Sequence, residues 1–262
     1  MLVYPQLSTG ALAQFPIQKS HRFRTIVNTL EDMSVIKLAD PAGETVGWQL
    51  QYAGLSDAEA ASLQQFYLST EGSLNIFTFL DPTSNLLSWS DQLTNDVWTA
   101  DPFLALTAGI SDPTGGTTGW TLTNSGAAPQ GITQVLNAPA GYTYCFSVYL
   151  QASTPVTATL LLGSNQSKVA VGVGWTRFTI TGEGDASADT IAFEVQLSAG
   201  TSLNVFGMQA EAQPAASVYK SSTTGGVYDT AYFQNDTLAF TSTDVNHNSV
   251  IVNIFYASTL PT

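Results

Sequence analysis

One cysteine, Cys145, stands among 262 residues, so no internal disulfide can form and no cysteine-based zinc site can be assembled. There are only two histidines, His21 and His247, and no Gly-x-Ser-x-Gly elbow accompanies either of them. Basic residues are scarce as well: seven Lys and Arg against 20 Asp and Glu, a net charge of −13. So few cations argue against binding to a nucleic-acid backbone, which requires displacement of counterions, and against docking on anionic membranes. No uninterrupted apolar run approaches ~18 residues, so no membrane-spanning helix and no membrane insertion are expected. The opening residues, MLVYPQLSTGALAQFPIQKS, lack a basic stretch followed by a long apolar one. The expectation is therefore no secretory signal and folding in a cytoplasm.

Hydrophobic residues reach 44% and charged residues only 10%, against a usual charged share of about 25%. That balance excludes a disordered chain and fits a β-rich protein surfaced with Ser, Thr, Asn and Gln. Residues 1–20 read as an extended arm, with Pro5 and Pro16 removing two backbone donors and Gly10 marking a turn. Strand-like runs follow at 22–28, 34–39 and 45–52, separated by turns at EDM and DPAGE. One helix is expected at 57–70. Ser56 and Glu59 form a capping box, Ala60, Leu63, Phe66 and Tyr67 recur at helical spacing, and Gly72 supplies the stop. A strand at 74–80 ends at Asp81-Pro82.

Beyond residue 85 the composition shifts towards Trp, Ser, Thr, Gly and Asn. Strands are expected at 142–151, 156–162, 167–173, 175–181, 190–197 and 202–211, a spacing that fits a β-sandwich. Residues 212–230 read as a linker, and strands at 237–243 and 249–257 form a last hairpin. A lone hairpin is at best marginal in water. The economical arrangement pairs the last ~35 residues with the first ~85 and inserts the middle as its own domain, because insertion is tolerated where an exposed loop brings its ends together. The expected domains are thus 1–84 with 222–262, and an inserted 85–221.

Chemistry-bearing patterns are few. Glu183, Asp185 and Asp189 cluster in a Gly/Ser-rich turn, where nothing raises the pKa of an acid for glycoside hydrolysis. Such an oxygen-rich loop suits a weak Ca²⁺ site, but no spaced-ligand calcium loop is present. Gly115-Gly116 and Gly225-Gly226 lack the Gly-Lys-Ser/Thr ending of a phosphate cradle. No catalytic residue, cofactor or metal is therefore expected, and no enzyme activity. Aromatic residues beside amides can form a platform for sugar. Trp89, Trp98, Trp120 and Tyr142 are the candidates for glycan contact, with Tyr144 and Tyr149 of the same kind. The alternative is that these rings fill the sandwich core.

Two stretches carry a family resemblance. Residues 4–82, with Arg22–Asn28, Trp48–Leu55, the capped helix ending in Phe66-Tyr67 and Leu74–Pro82, resemble the N-terminal domain of siphophage distal tail and related minor tail proteins. Ser249–Ala257 resembles the closing strand of that domain. The segment Asn85–Ser90 through Asn95–Trp98, with Phe206–Glu211 and Ser217–Lys220, is similar to jelly-roll, carbohydrate-binding-like modules of phage tail fibres and tip proteins. The chain departs from these patterns at Met33, where the tail family tends to carry Gly, and at Ala210, where Leu or Val is usual.

The resemblance implies a mainly β protein with one helix: a discontinuous tail-tube-like β domain plus an inserted β-sandwich of jelly-roll type. It implies a virion structural protein of the tail tip, assembled in the host cytoplasm. Rings of copies, commonly six, would join the tail tube to tip and hub proteins, with DNA only passing through the lumen. An acidic inner wall suits that passage by repelling the DNA backbone. Contacts between copies are expected from Tyr4, Pro5, Phe15, Pro16, Arg22 and Arg24. The alternative is a lectin-like adhesin whose inserted module binds a host surface glycan.

Overall fold

The computed structural model describes residues 2–257, leaving aside the side chains of 41 and 42. Residues 258–262, which end the expected discontinuous domain, lie outside the described residues, as does Met1, the first residue of the expected arm. Among the described residues the fold is mainly β with a single 13-residue helix, α1, at Asp57–Ser69. No helix among the described residues is long and apolar enough to cross a membrane. The chain divides into two compact units. Unit 1 comprises Met1–Ser8, Ala13–Phe79 and Tyr228–Thr262; unit 2 comprises Thr9–Leu12 and Leu80–Val227. Unit 2 thus begins at Leu80 rather than at residue 85 and ends at Val227 rather than at 221. Its two long-segment ends lie side by side, with the Asp81 N–H donating to the Gly226 carbonyl at 2.8 Å.

Unit 1 is built on a six-stranded sheet. Its strands are β1 (Ile17–Thr29), β2 (Val35–Leu55), β3 (Phe77–Leu80), β14 (Val227–Phe233), β15 (Phe240–Asp244) and β16 (His247–Ala257). They run in the order β1-β2-β16-β14-β3, with β15 also on β16. The closing strand pairs with β2 from Asn248 opposite Leu55 to Ala257 opposite Thr45. Alternation sends Val250, Val252 and Ile254 into the core with Trp48, Leu50 and Tyr52, while Ile251 and Asn253 face away. The capping box of α1 is complete: the Ser56 hydroxyl accepts from the Glu59 N–H, and the Glu59 carboxylate accepts from the Ser56 N–H. Glu71 and Gly72 both take left-handed φ just past the helix.

Three expectations are corrected here. Residues 1–20 do not form an extended arm. Val3 bridges Thr78 in parallel, Tyr4, Leu7, Leu12 and Ala13 are buried, and β1 already begins at Ile17. Their apolar side chains have a core to enter, which an arm would deny them. The DPAGE segment is no turn either. It is an irregularity inside one 21-residue strand, where pairing jumps from Arg22–Thr45 to Arg24–Asp40. Finally, the far part of the expected linker is β14, which buries Ala231 and Phe233.

Unit 2 is a sandwich of two five-stranded antiparallel sheets. Four strands escaped the sequence reading: β4 (Thr99–Ala100), β5 (Leu104–Ile110), β6 (Gly119–Asn124) and β7 (Gln130–Leu136). The others are β8 (Tyr144–Gln151), β9 (Val156–Leu162), β10 (Asn165–Val171), β11 (Thr176–Gly182), β12 (Ile191–Leu197) and β13 (Ser202–Glu211). The sheets are β10-β9-β12-β7-β4 and β11-β8-β13-β6-β5. Tyr144 and Phe146 of β8 meet Phe193 of β12 across the core, each with ring centroids 5.7 Å apart. Gly207 sits at φ +66° in a register irregularity of β13, with the Tyr219 ring 3.1 Å from where a Cβ would stand. Only glycine fits both the backbone and that contact.

Candidate interaction surfaces

Beyond Arg22, among the described residues, the strands β1 and β2 pair only with each other. Arg24 pairs with Asp40, Ile26 with Leu38 and Asn28 with Ile36 on one face; Thr25 pairs with Ala39, Val27 with Lys37 and Thr29 with Val35 on the other. Both faces are open to solvent. Ile26 is 46% exposed, Leu38 50% and Val27 55%, and Phe23, Leu30, Val35 and Ile36 are exposed as well. The turn is closed by the Leu30 N–H on the Ser34 carbonyl at 2.9 Å and by the Asp32 carboxylate, which accepts from the Ser34 N–H and hydroxyl. Met33 at its tip takes φ +65° and is 83% exposed. A left-handed backbone of this kind is what favours Gly.

The six residues expected at copy-to-copy contacts are scattered. Tyr4 is fully buried: its hydroxyl lies 2.9 Å from that of Tyr52, and its ring meets Phe66 and Phe79 edge-on at 5.7 and 5.6 Å. It is a core residue and is corrected as such. Pro5 is half-buried, while Phe15, Pro16, Arg22 and Arg24 are exposed. Arg24 is ion-paired to Asp40, with Nε donating at 2.6 Å. The sequence reading missed Ile26, Val27, Leu30, Val35, Ile36 and Leu38. Their signal was legible: Ile26-Val27 and Val35-Ile36 put apolar residues at both parities, which a strand with one wet face does not need.

The outer face of the β8 sheet in unit 2 is organised in rows across the strands. One row runs Thr107, Thr121, Asn204, Gln151, each opposite the next. Its side chains are linked: the Thr121 hydroxyl donates to Asn204 Oδ1 at 2.7 Å, and Asn204 Nδ2 donates to Gln151 Oε1 at 3.1 Å. The adjacent row is Phe206, Tyr149, Arg177. The Arg177 guanidinium lies 5.4 Å from the Tyr149 ring centroid, and Tyr149 lies 5.9 Å from Phe206. On the other side, Thr123 faces Ser202 with hydroxyls 3.0 Å apart. Residues 217–220 are held at one end of this face, where the Glu211 carboxylate accepts from the Ser217 N–H and Gln209 Oε1 accepts from the Lys220 N–H.

The expected glycan contacts lie elsewhere. Trp98 is 6% exposed, and its indole N–H donates to the Trp89 carbonyl at 3.0 Å. The Trp120 indole donates to the Asp91 carbonyl at 3.1 Å, and alternation puts Trp120 on the interior face with Leu122. Trp89 and Tyr142 are half-buried, and burial pushes the Tyr142 phenol up to about 12. The structure gathers Trp89, Trp98 and Trp120 around one loop and spends two of their N–H groups on its backbone. In the acidic turn, Asp185 accepts from the Ser187 N–H and hydroxyl, which hold its pKa down, and Glu183 accepts from Thr143. Among the described residues no group of three or more His, Cys, Asp or Glu is placed to hold a metal ion.

No protein-family model matches the chain, and no curated protein matches it. Solved structures with partial likeness include the enzymatically active domain of bacteriophage CBA120 tailspike protein 4, at 14% identity and a TM-score of 0.39. That match covers 51% of this chain and spans 22% of the length of the tailspike chain. A family 22 xylan-binding domain matches at 17% identity and a TM-score of 0.41, covering 52% of this chain and all of that one. The C-terminal family 22 carbohydrate-binding module of Clostridium thermocellum Xyn10B gives 15% identity and a TM-score of 0.41, covering 53% of this chain and 99% of the module.

Proposed function

We propose that the chain is a structural protein of a phage tail tip, of distal or minor tail type, which assembles into a ring through the β1–β2 hairpin. The observation that carries this reading is the hairpin itself, a two-stranded extension with large apolar side chains exposed on both faces. A hairpin of that kind is marginal alone, and contiguous exposed apolar surface marks an interaction site. Repeated head-to-tail contacts between copies close into a ring, which covers strand edges that would otherwise aggregate. The tube on one side and the tip and hub on the other are the remaining partners, with DNA crossing the lumen. The resemblance of residues 4–82 to tail proteins supports the setting.

The test is the mass of the full chain in solution against concentration, by light scattering. The intact protein is expected to form a closed oligomer and the Ile26→Ser/Leu38→Ser variant to stay monomeric with unchanged thermal unfolding. An intact chain that remains monomeric throughout would sink the reading.

A second reading is glycan binding by unit 2. Its observation is the Thr107–Thr121–Asn204–Gln151 row beside Tyr149, since amides and hydroxyls next to a ring are the chemistry that holds sugar. Two of the structural neighbours are carbohydrate-binding modules by name, at a TM-score of 0.41 that adds no weight to this reading. A glycan array with the full chain checks it: binding should be present and be lost in Asn204→Ala. Silence on every host-derived polysaccharide would remove this reading and leave the first intact.

A further inference from the structure

We infer that Glu194 and Asp101 form a proton-closed clasp across β7, which fastens residues 99–101 to β12 when the two carboxyl groups share one proton. Within unit 2, β7 lies between β4 and β12. Ile132 and Val195 turn into the core, so Gly131, Thr133, Glu194 and Gln196 belong to the outer face of that sheet. Thr99 pairs with Thr133 and Ala100 with Ile132, and the Asp101 N–H then donates to the Gly131 carbonyl at 3.0 Å. The Asp101 carboxylate accepts from the Gly131 N–H at 2.8 Å. From the other side Glu194 lies over the same residue: a Cβ on Gly131 would stand 2.1 Å from Glu194 Oε1. The side chain that Gly131 lacks is what lets carboxylates from either side of β7 lean towards each other.

Ionised, both groups are acceptors only, and they repel each other. A proton on Glu194 makes it a donor to Asp101, and a carboxyl-to-carboxylate bond is of the strong, charge-assisted kind. The surroundings favour that form. Burial pushes the Glu194 carboxyl up and the charge of Asp101 adds to it, against hydrogen bonds from Thr133 and Gln196. The facing residues carry no other charge: Thr99 stands on β4, Thr133 on β7, Gln196 on β12, and Thr159 and Leu161 on β9. The one cation of this face, Lys168 on β10, is opposite Thr159, with β9 between it and β12. A carboxyl raised in the folded state contributes stability that is complete below the ordinary glutamate value of about 4.5. That contribution is lost as the pH rises through the raised value, so acid closes the clasp and neutral pH loosens it.

The test is an NMR titration of the full chain, reading the Glu194 side-chain carboxyl and the hydrogen-exchange protection of the Gly131 amide. Glu194 is expected to titrate above the ordinary glutamate value. Gly131 protection, corrected for the intrinsic pH dependence of exchange, should rise as Glu194 takes up its proton. The rise should reach about tenfold for each pH unit separating the folded and ordinary titrations. Glu194→Gln, which keeps a donor at every pH, should hold the high protection at neutral pH and remove its pH dependence. Asp101→Asn should bring the Glu194 titration down. A Glu194 carboxyl that titrates at or below the ordinary value overturns the clasp, as does Gly131 protection that ignores pH. A Glu194 titration unmoved by Asp101→Asn also overturns it, because burial alone then accounts for the carboxyl.

Discussion

The outer half of the β1–β2 hairpin and the outer face of the β8 sheet are both antiparallel surfaces in water, and they are finished in opposite ways. In the β8 sheet the alternation is clean. Phe146, Val148 and Leu150 turn inward, while Thr121, Asn204 and Gln151 turn outward and satisfy one another. In the hairpin, Ile26 and Val27 are neighbours in sequence and lie on opposite wet faces, as do Val35 and Ile36. The first surface is complete within the chain. The second has apolar groups on both sides that no other described residue covers, and burying them would be favourable in a contact with a partner.

The largest effect expected from breaking this contrast lies in the core that anchors the hairpin. Tyr4→Ala should cost unit 1 about 4 kcal/mol in denaturant unfolding, whereas Phe23→Ala, on the exposed hairpin, should stay within about 0.5 kcal/mol in the monomer. Comparable losses in the two variants would mean that the hairpin packs on its own unit. In unit 2, Gly207→Ala should cost about 2 kcal/mol, because alanine there meets both a positive φ and the Tyr219 ring. A neutral result would show that the bulge is slack.

Acid should act on the body of unit 1 through Glu59. The Ser8 hydroxyl, donating at 2.6 Å, and the Ser56 cap hold its carboxylate down to about 2. A lowered folded-state pKa means that this contribution is complete above the ordinary glutamate value and is lost as pH falls from about 4.5 towards 2. Glu59→Gln should flatten that part of the stability–pH curve; an unchanged curve would place the acid sensitivity elsewhere. The smallest effect belongs to the hairpin tip. Met33→Gly relieves a left-handed backbone at some entropic cost, a net gain of about 0.5 kcal/mol in hairpin stability. Hydrogen exchange of the 30–36 amides checks it, and faster exchange in the variant would contradict it.

Much of the local structure was legible. Ser56 and Glu59 announce a helix start because the cap is a local exchange of two hydrogen bonds, and the helix begins at Asp57. Strands of unit 2 such as β9, which alternates, and β13, whose last seven residues are all buried, lie where they were expected, at 156–162 and 202–211. Strands with small or polar residues did not announce themselves. Leu104–Ile110 and Gly119–Asn124 read as loops because Ala, Thr and Gly carry little periodic signal. The aromatic residues misled for a related reason: composition marks a ring as able to stack on sugar, but not whether its N–H is already spent, as it is in Trp98 and Trp120.

By itself, the amino-acid order determined the β-rich class, the single capped helix and the poverty in cations, since each follows from local covalent and electrostatic facts. Only the tertiary structure decided that Tyr4 is core, that residues 40–44 continue a strand and that Ile26 and Leu38 stand in water side by side. Those outcomes depend on which distant segments come together, here Val3 on Thr78 and β16 along β2, and pairing over such separations is settled by the whole packed unit rather than by any neighbouring residues.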